Sequence, residues 1–325
     1  MIEINNFQQK IFQINKNKNK KWVFNEEIQK TLTVMLVGDY GTTEQLQEVA
    51  AVKLNEVSEQ INAEFILGMG DNFYNPNGVF GVEDPSWETH WASVYQKKSY
   101  LKNLKWYGTI GNHDYGNVGL YSEFQYRKYG WVIEDFFWTH TAKVAGMNIA
   151  FVHVDTSFLA YGVEGQSTKE QMKYYFIDQG WVNDDQILDL VEQQLKKYKN
   201  YDWIIAMGHH HVGYSCYPVL NTGKLVPLFE KYNVDAYLSG HSHSLSYSQN
   251  NGMAYALSGA AGGEAYDNEC AVSNPFWSKG MVLGFMGMEI SQDLLTFTAY
   301  YREIESDYED WKTLTFPSSK RKEKI

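Results

Sequence analysis

Five apolar runs in this 325-residue chain each end in a glycine followed by a residue able to bind a cation: Gly38-Asp39, Gly70-Asp71, Gly111-Asn112, Gly208-His209 and Gly240-His241. Glycine lets the chain turn sharply and brings backbone close to a bound ion. A carboxylate such as Asp71 has two oxygens and can bridge two cations. Tyr74, three residues further on, offers a phenolate, a hard anionic ligand that suits Fe(III). Each piece alone has a plainer reading. Asp39 can start a helix or turn, Asn112 can form an Asx-turn, His113 can be a surface histidine, and His209-His210-His211 can be an incidental loop cluster. His241-Ser242-His243 is harder to dismiss, because histidines at i and i+2 around a small residue can address two adjacent ions. Strand ends that repeat one design five times outweigh the separate plain readings.

The donor types narrow the chemistry. Carboxylates, an amide oxygen and imidazoles without thiolates suit hard or borderline cations rather than a structural zinc finger. They are too many for one tetrahedral ion. Two ions about 3.5–4 Å apart, bridged by a carboxylate, form the arrangement used for phosphoryl hydrolysis.

The elements that must position these residues follow from the apolar pattern. Strands are expected at Leu32–Val37, 64–69, 105–110, 203–207 and 235–239, each running into one of the glycines. Helices are expected over 44–61, 86–96, 181–198 and 222–232, with a short one over 121–129. In the helix at 181–198, Ile187, Leu190, Val191 and Leu195 share one face. Strands at 134–140 and 147–154 read as antiparallel, and strands dominate the rest: 245–249, 253–258, 281–290 and 294–302. Strands alternating with helices, then a strand-rich half, argue for an α/β fold of layered sheets. The carboxyl ends of its strands would point into one crevice. One domain over 31–316 is expected, after a polar extension at 1–30 and before a basic tail at 317–325.

Composition excludes several classes. The chain is 44% hydrophobic, so it is globular. Its 28 Lys+Arg against 39 Asp+Glu give a net charge of −11, which does not read as a nucleic-acid binder. A phosphate site in so acidic a chain needs local positive charge, such as metal ions. Two cysteines, Cys216 and Cys270, exclude a multi-bridge framework, and whether they pair is open. No apolar run of about 18 residues is present to span a membrane. Residues 1–30 lack the apolar segment of a signal peptide, and there is no Asn-X-Ser/Thr acceptor.

With these residues in view, GDYG at Asp39, GDNFY at Asp71 and Tyr74, GNHD at Asn112 and His113, GHHH at His209 and GHSH at His241 and His243 resemble the five blocks of the purple acid phosphatases. The likeness is to the small tartrate-resistant type, a branch of the calcineurin-like metallophosphoesterases. The resemblance implies a β-sandwich flanked by helices, with a binuclear centre of Fe(III) and a divalent ion (Fe, Zn or Mn). Asp39, Tyr74 and His243 would hold the iron, Asn112, His209 and His241 the divalent ion, and Asp71 would bridge. His113 would contact the phosphate or protonate the leaving group. The implied activity is acid hydrolysis of phosphate monoesters, small molecules or phosphoproteins, by metal-bound hydroxide; the alternatives are a phosphodiesterase, a protein phosphatase or a non-catalytic scaffold of the same fold. A monomer is expected. Members of this type are commonly secreted or lysosomal, which the N-terminal residues do not signal. Three departures stand out. Tyr40 replaces a usual tryptophan and Ser242 a usual aspartate. Pro218 stands where a second substrate-side histidine is usual, and His210 or His211 are the candidates to replace it.

Overall fold

Leu32–Val37 forms β1, buried along its whole length. Leu32, Val34 and Leu36 enter one core and Met35 and Val37 the other, the period-two alternation of a strand between two apolar layers. The computed structural model describes residues 30–74, 77–164, 170–213, 221–263, 276–304 and 310–319. The N-terminal residues 1–29, Cys216, Cys270, Pro218 and residues 320–325 lie outside the described residues.

After β1 come α1 (Gln45–Gln60), β2 (Phe65–Gly68), a π-helical segment (Trp87–Gln96), β3 (Lys105–Gly108), α2 (Leu120–Gln125), β4 (Trp131–Val132), β5 (Phe137–Val144) and β6 (Met147–Val154). Then follow α3 (Ser157–Tyr161), α4 (Glu170–Asp178), α5 (Asp184–Tyr198), β7 (Trp203–Gly208), α6 (Leu225–Lys231) and β8 (Ala236–Ser239). The chain continues with β9 (Leu245–Asn250), β10 (Met253–Ser258), β11 (Phe276–Lys279), β12 (Val282–Ile290), β13 (Leu294–Glu303) and β14 (Lys312–Ser319).

Two seven-stranded sheets result, ordered β14-β13-β12-β1-β2-β3-β4 and β11-β9-β10-β8-β7-β6-β5. β1 to β4 run parallel in the first, and β6, β7, β8 and β10 run parallel in the second. The inner core takes side chains from both sheets, with Leu36 and Leu67 from one and Phe151, Ile205 and Leu238 from the other. The outer layer packs helices onto the sheets: Leu54 and Val57 of α1 join Met35 and Val37. α5 buries Ile187, Val191 and Leu195, each worth about 2 kcal/mol. It starts at a capping box in which Asn183 and Gln186 satisfy each other's backbone N–H.

Register aligns the strand ends. Leu36 pairs with Leu67 and Leu67 with Tyr107 in one sheet; Val152 pairs with Ala206 and Ala206 with Tyr237 in the other. The loops after β1, β2, β3, β7 and β8 therefore emerge side by side.

The structure departs from the sequence expectations in places. The helix expected over 86–96 is π-helical. α3, α4 and β11 form where no element was expected. β14 continues to Ser319, past residue 316, as a largely exposed edge strand whose apolar alternation is limited to Leu314 and Phe316. Its Pro317 is tolerated because an edge strand needs hydrogen bonds on one side only. Among the described residues, no helix is long and apolar enough to cross a membrane.

Candidate metal centre

The strand-end residues converge. The Tyr74 hydroxyl lies 2.9 Å from Asp71 Oδ2, 3.2 Å from Asp39 Oδ1 and 3.3 Å from His243 Nε2. His209 Nε2 lies 3.3 Å from the same Asp71 Oδ2, 3.1 Å from Asn112 Oδ1 and 3.3 Å from His241 Nδ1. Two donor sets thus share one oxygen of Asp71. An ion with ligands at about 2.0–2.2 Å holds neighbouring donors about 3 Å apart, the spacing of both sets. The ligand atoms of Asp39, Asp71 and His209, and those of His209, His210 and His241, each lie within 4.8 Å of one another.

Local backbone explains how the side chains are aimed. Asp39, Asp71 and His241 adopt φ of 58°, 52° and 71°, the left-handed region that costs a non-glycine residue about 1–3 kcal/mol. Hydrogen bonds hold them there: His241 N donates to Asp39 Oδ2 at 2.9 Å, and His113 N donates to Asp71 Oδ1 at 2.7 Å. Gly111 and Gly240 allow this packing. A Cβ at Gly111 would meet Asp71 at 2.3 Å, and one at Gly240 would meet Asp39 at 2.5 Å.

The electrostatics call for cations. Asp39 and Asp71 are buried, and among the described residues their ion pairs are to histidines, not to Lys or Arg. Burial, opposed by His209 and His243, pushes Asp39 up to about 6. Burial also pushes Asp71 up, yet the charge and hydrogen bond of His209, with His113, hold it well below the ordinary carboxylate range. Burial works against a charge on His209, but Asp71 and Asp39 carry it up to about 10. Phenol burial and the two carboxylates push Tyr74 far up. A bound cation would bring Asp39 down and hold Asp71 ionised, and would favour neutral His209 and ionised Tyr74. The donor set therefore fits two hard or borderline ions.

Known proteins resemble this chain in sequence. The sequence profile of the calcineurin-like phosphoesterases matches residues 32–245. Tartrate-resistant acid phosphatase type 5 of Oryctolagus cuniculus is 31% identical over 71% of this chain and 73% of its own length. The chain belongs to the calcineurin-like phosphoesterases, on the purple acid phosphatase branch. Purple acid phosphatase 7 of Arabidopsis thaliana is 26% identical over 83% of the chain and 82% of its own length. Two solved structures share the fold. GAP50, titled the anchor in the inner membrane complex of Plasmodium, has a TM-score of 0.70 at 19% identity, over 91% of this chain and 90% of its own. The purple acid phosphatase PPD1 of yellow lupin has a TM-score of 0.58 at 16% identity, and this chain spans about half of it (88% of this chain, 54% of that one).

Two departures from the family blocks have structural partners. The Tyr40 hydroxyl donates to Asn72 Oδ1 at 2.5 Å and accepts from Trp106 Nε1 at 3.1 Å. Asn72 in turn donates to Asp114 and Glu123, so Tyr40 braces the residue next to Asp71. Asp114 also accepts from Gly111, Asn72 and Phe73 backbone N–H groups, tying the Asp71 and Asn112 loops together. Ser242 Oγ lies 2.8 Å from His211 Nε2, and Ser239 Oγ is 3.3 Å from Nδ1. His211 is thereby tied into the loop wall.

His113 is half-buried, its Nδ1 2.7 Å from Asn77 Oδ1 and its ring centroid 4.4 Å from that of Tyr74. His210, the other candidate for the substrate side, is completely buried. Sequence reasoning missed Asn72, Glu123, Thr156 and Tyr161 around the centre. Asp114 stands inside the GNHD block, so its block membership was a usable signal.

Proposed function

We propose that this chain is an acid phosphatase that hydrolyses phosphate monoesters at a binuclear Fe(III)–divalent centre. The observation that carries the reading is the pair of donor sets meeting at Asp71 Oδ2, with the Tyr74 hydroxyl in one of them. Asp39, Tyr74 and His243 would hold the iron, Asn112, His209 and His241 the divalent ion, and Asp71 both. When bound, such a pair polarises the phosphate and supplies a nucleophilic water at mildly acidic pH.

The chain's own residues do the rest. Asp71 fixes the separation of the two sites, because one oxygen belongs to both sets. His209 Nδ1 donates to Met69 O at 2.8 Å, which orients Nε2 toward the ion. His113 stands at the edge of the site with Nδ1 engaged by Asn77, so Nε2 is the nitrogen that would hold the proton for the departing alkoxide. No strand-end serine or cysteine is required as a nucleophile, and no covalent phosphoenzyme is expected. Asn72-Phe73-Tyr74 follows Asp71 where the protein-phosphatase branch usually has an arginine, which favours the small-monoester reading.

Metal analysis, a visible spectrum and parallel assays on a monoester, a diester and a phosphopeptide test the proposal. It expects two ions per chain, a broad band in the middle of the visible range and preference for the monoester. A colourless, iron-free active enzyme would place the chemistry in the wider superfamily. Absence of bound metal after reconstitution would leave a scaffold, a role closer to the anchor named for the Plasmodium relative.

A further inference from the structure

His113 is held at the metal centre by its backbone and by its ring. Its N–H donates to Asp71 Oδ1 at 2.7 Å, and its ring centroid lies 4.4 Å from that of Tyr74. Its Nδ1 lies 2.7 Å from Asn77 Oδ1. A carbonyl oxygen can only accept, so Nδ1 carries a hydrogen and donates it. That hydrogen stays in place whether the ring is neutral or charged. Nε2 is then the nitrogen whose hydrogen can be given up and regained.

Asn77 is itself clamped between the loops that follow β2 and β3. Asn117 Nδ2 donates to Asn77 O at 2.7 Å and to Gly78 O at 3.2 Å, which uses both of its hydrogens. A Cβ at Gly116 would meet that of Asn77 at 2.2 Å, so the two loops lie in direct contact there. The Tyr175 hydroxyl of α4 donates to Asn117 O at 3.0 Å and braces the clamp from the helix layer. Gly116 N donates to His113 O at 2.9 Å, which closes the turn that carries the histidine. Thus Asn77 is fixed before it fixes His113. The leaving group decides how much this matters. A nitrophenolate departs readily, whereas an alkoxide needs a proton as its bond to phosphorus breaks.

We propose that Asn77 is a positioning residue whose side-chain oxygen, clamped by Asn117, holds His113 for proton donation to alkoxide leaving groups, so that alkyl phosphate monoesters are substrates of this site. The inference rests on the phosphatase reading above. In the step, a water oxygen bonds to phosphorus and the ester P–O bond breaks with its electron pair on the alcohol oxygen. That oxygen takes the Nε2 proton and leaves as the alcohol. The proton lost by the water passes to solvent, from which Nε2 is recharged. Throughout, the Nδ1 hydrogen stays on Asn77 and keeps the ring from turning.

The test uses the metal-loaded full chain and two esters, glycerol 2-phosphate and 4-nitrophenyl phosphate, with metal content measured beside the kinetics. In Asn77→Ala the alkyl-to-aryl ratio of kcat/KM should fall about tenfold or more, with both ions retained. Asn77→Asp keeps an acceptor on Nδ1 and should hold the ratio within about threefold of wild type. Asn117→Ala should lower the ratio in the same direction by about two- to fivefold, the loss of a hydrogen bond one step removed. In a His113→Ala background, Asn77→Ala should change the ratio by no more than about twofold, because Asn77 acts through His113. An equal loss on both esters, loss of metal from Asn77→Ala, an Asn77→Asp protein as impaired as Asn77→Ala, or full additivity with His113→Ala would each overturn the assignment. A wild type that cleaves neither ester overturns the phosphatase reading and this inference with it. A wild type that cleaves the aryl ester alone overturns the inference and leaves that reading standing.

Discussion

His209 and His153 are both fully buried; His153 lies on β6 and pairs with Met207 of the parallel neighbour β7, and His209 comes two residues after Met207, just past the end of β7. Their surroundings differ in every other respect. His209 follows the end of β7 and faces Asp71, Asn112 and His241. His153 is inside β6 and faces rings: Trp138 stacks on it with centroids 3.8 Å apart. Its Nδ1 lies 3.0 Å from Gly108 O and its Nε2 2.9 Å from His140 Nδ1. Gly108 O can only accept, so His153 Nδ1 and then His140 Nδ1 carry the hydrogens. His140 Nε2 is left bare between the stacked rings of Tyr107 and Phe151, without a partner among the described residues. Burial pushes both residues toward neutrality. For His209 the carboxylates win and raise it to about 10; for His153 nothing opposes burial strongly, and it falls to about 3. The same residue type becomes a candidate ligand where a strand ends beside carboxylates, and a neutral core residue two register positions earlier on the neighbouring strand.

The largest test of that contrast is Asp71→Ala. Removing the oxygen shared by both donor sets should cut hydrolysis by more than about 10³-fold and release metal, measured by turnover and metal analysis. Tyr74→Phe should lose the visible band yet keep part of the hydrolysis. Full activity in Asp71→Ala would dissolve the distinction between the two histidine groups.

Metal removal comes next. A bound ion at a thousandfold excess over its Kd stabilises the fold by about 4 kcal/mol. Chelation should therefore lower the melting temperature by roughly 5–15 °C and abolish activity. In His140→Phe the same drop should appear, because the sheet-core pair plays no part in metal binding. A chelator-insensitive Tm would mean the pocket histidines are core residues as well.

The sheet-core pair makes its own prediction with acid. Both histidines have depressed folded-state values, His140 through burial and the neighbouring His153. The unfolded chain takes up these protons near pH 6.5, and the folded chain does not. Stability from this source is fully present above about pH 6.5 and is lost as pH falls toward the folded values. The loss is about 1.4 kcal/mol per pH unit per histidine. Between pH 6.5 and 4.5, His153 alone would cost about 3 kcal/mol. His140→Phe should be about 1–2 kcal/mol less stable at pH 7, since His153 Nε2 loses its donor, but its denaturant midpoint should fall less steeply with acid. Equal slopes in the two proteins would show that the pair titrates normally.

The contrast also marks what the chain's letters disclose. Glycine after an apolar run, followed by Asp, Asn or His, made the strand ends of β1, β2, β3, β7 and β8 readable, because the turn and the ligand are local properties. The apolar run of β1 and the helical spacing of α5 were readable for the same reason. β14 was not, because Leu314 and Phe316 alone make too short an alternation and Pro317 reads as a strand breaker. α3 was not, because five residues are too few to show one. The contacts of Thr156 and Tyr161 with His210 were invisible because only the fold brings the ends of β6 and β7 and the helix α3 together. The two extra histidines could not be told apart, since only the fold sets Ser239 and Ser242 beside one and Tyr161 beside the other.

The smallest expected effect concerns the acids behind the bridge. Glu123 is buried; one of its oxygens accepts from Asn72 Nδ2 at 3.0 Å, and the other has no partner among the described residues. Burial and the charge of Asp114 push it well above its ordinary value. A carboxyl held neutral is nearly the shape and polarity of an amide. Glu123→Gln should therefore keep metal content, leave kcat within about twofold and shift stability by less than about 1 kcal/mol. The contrast with Asp71 is then complete, because both are buried carboxyls linked to the same loop and only one must carry charge. A Glu123→Gln protein that lost metal would show that Glu123 is ionised in the fold, and that the negative charge serving the centre extends beyond Asp39 and Asp71.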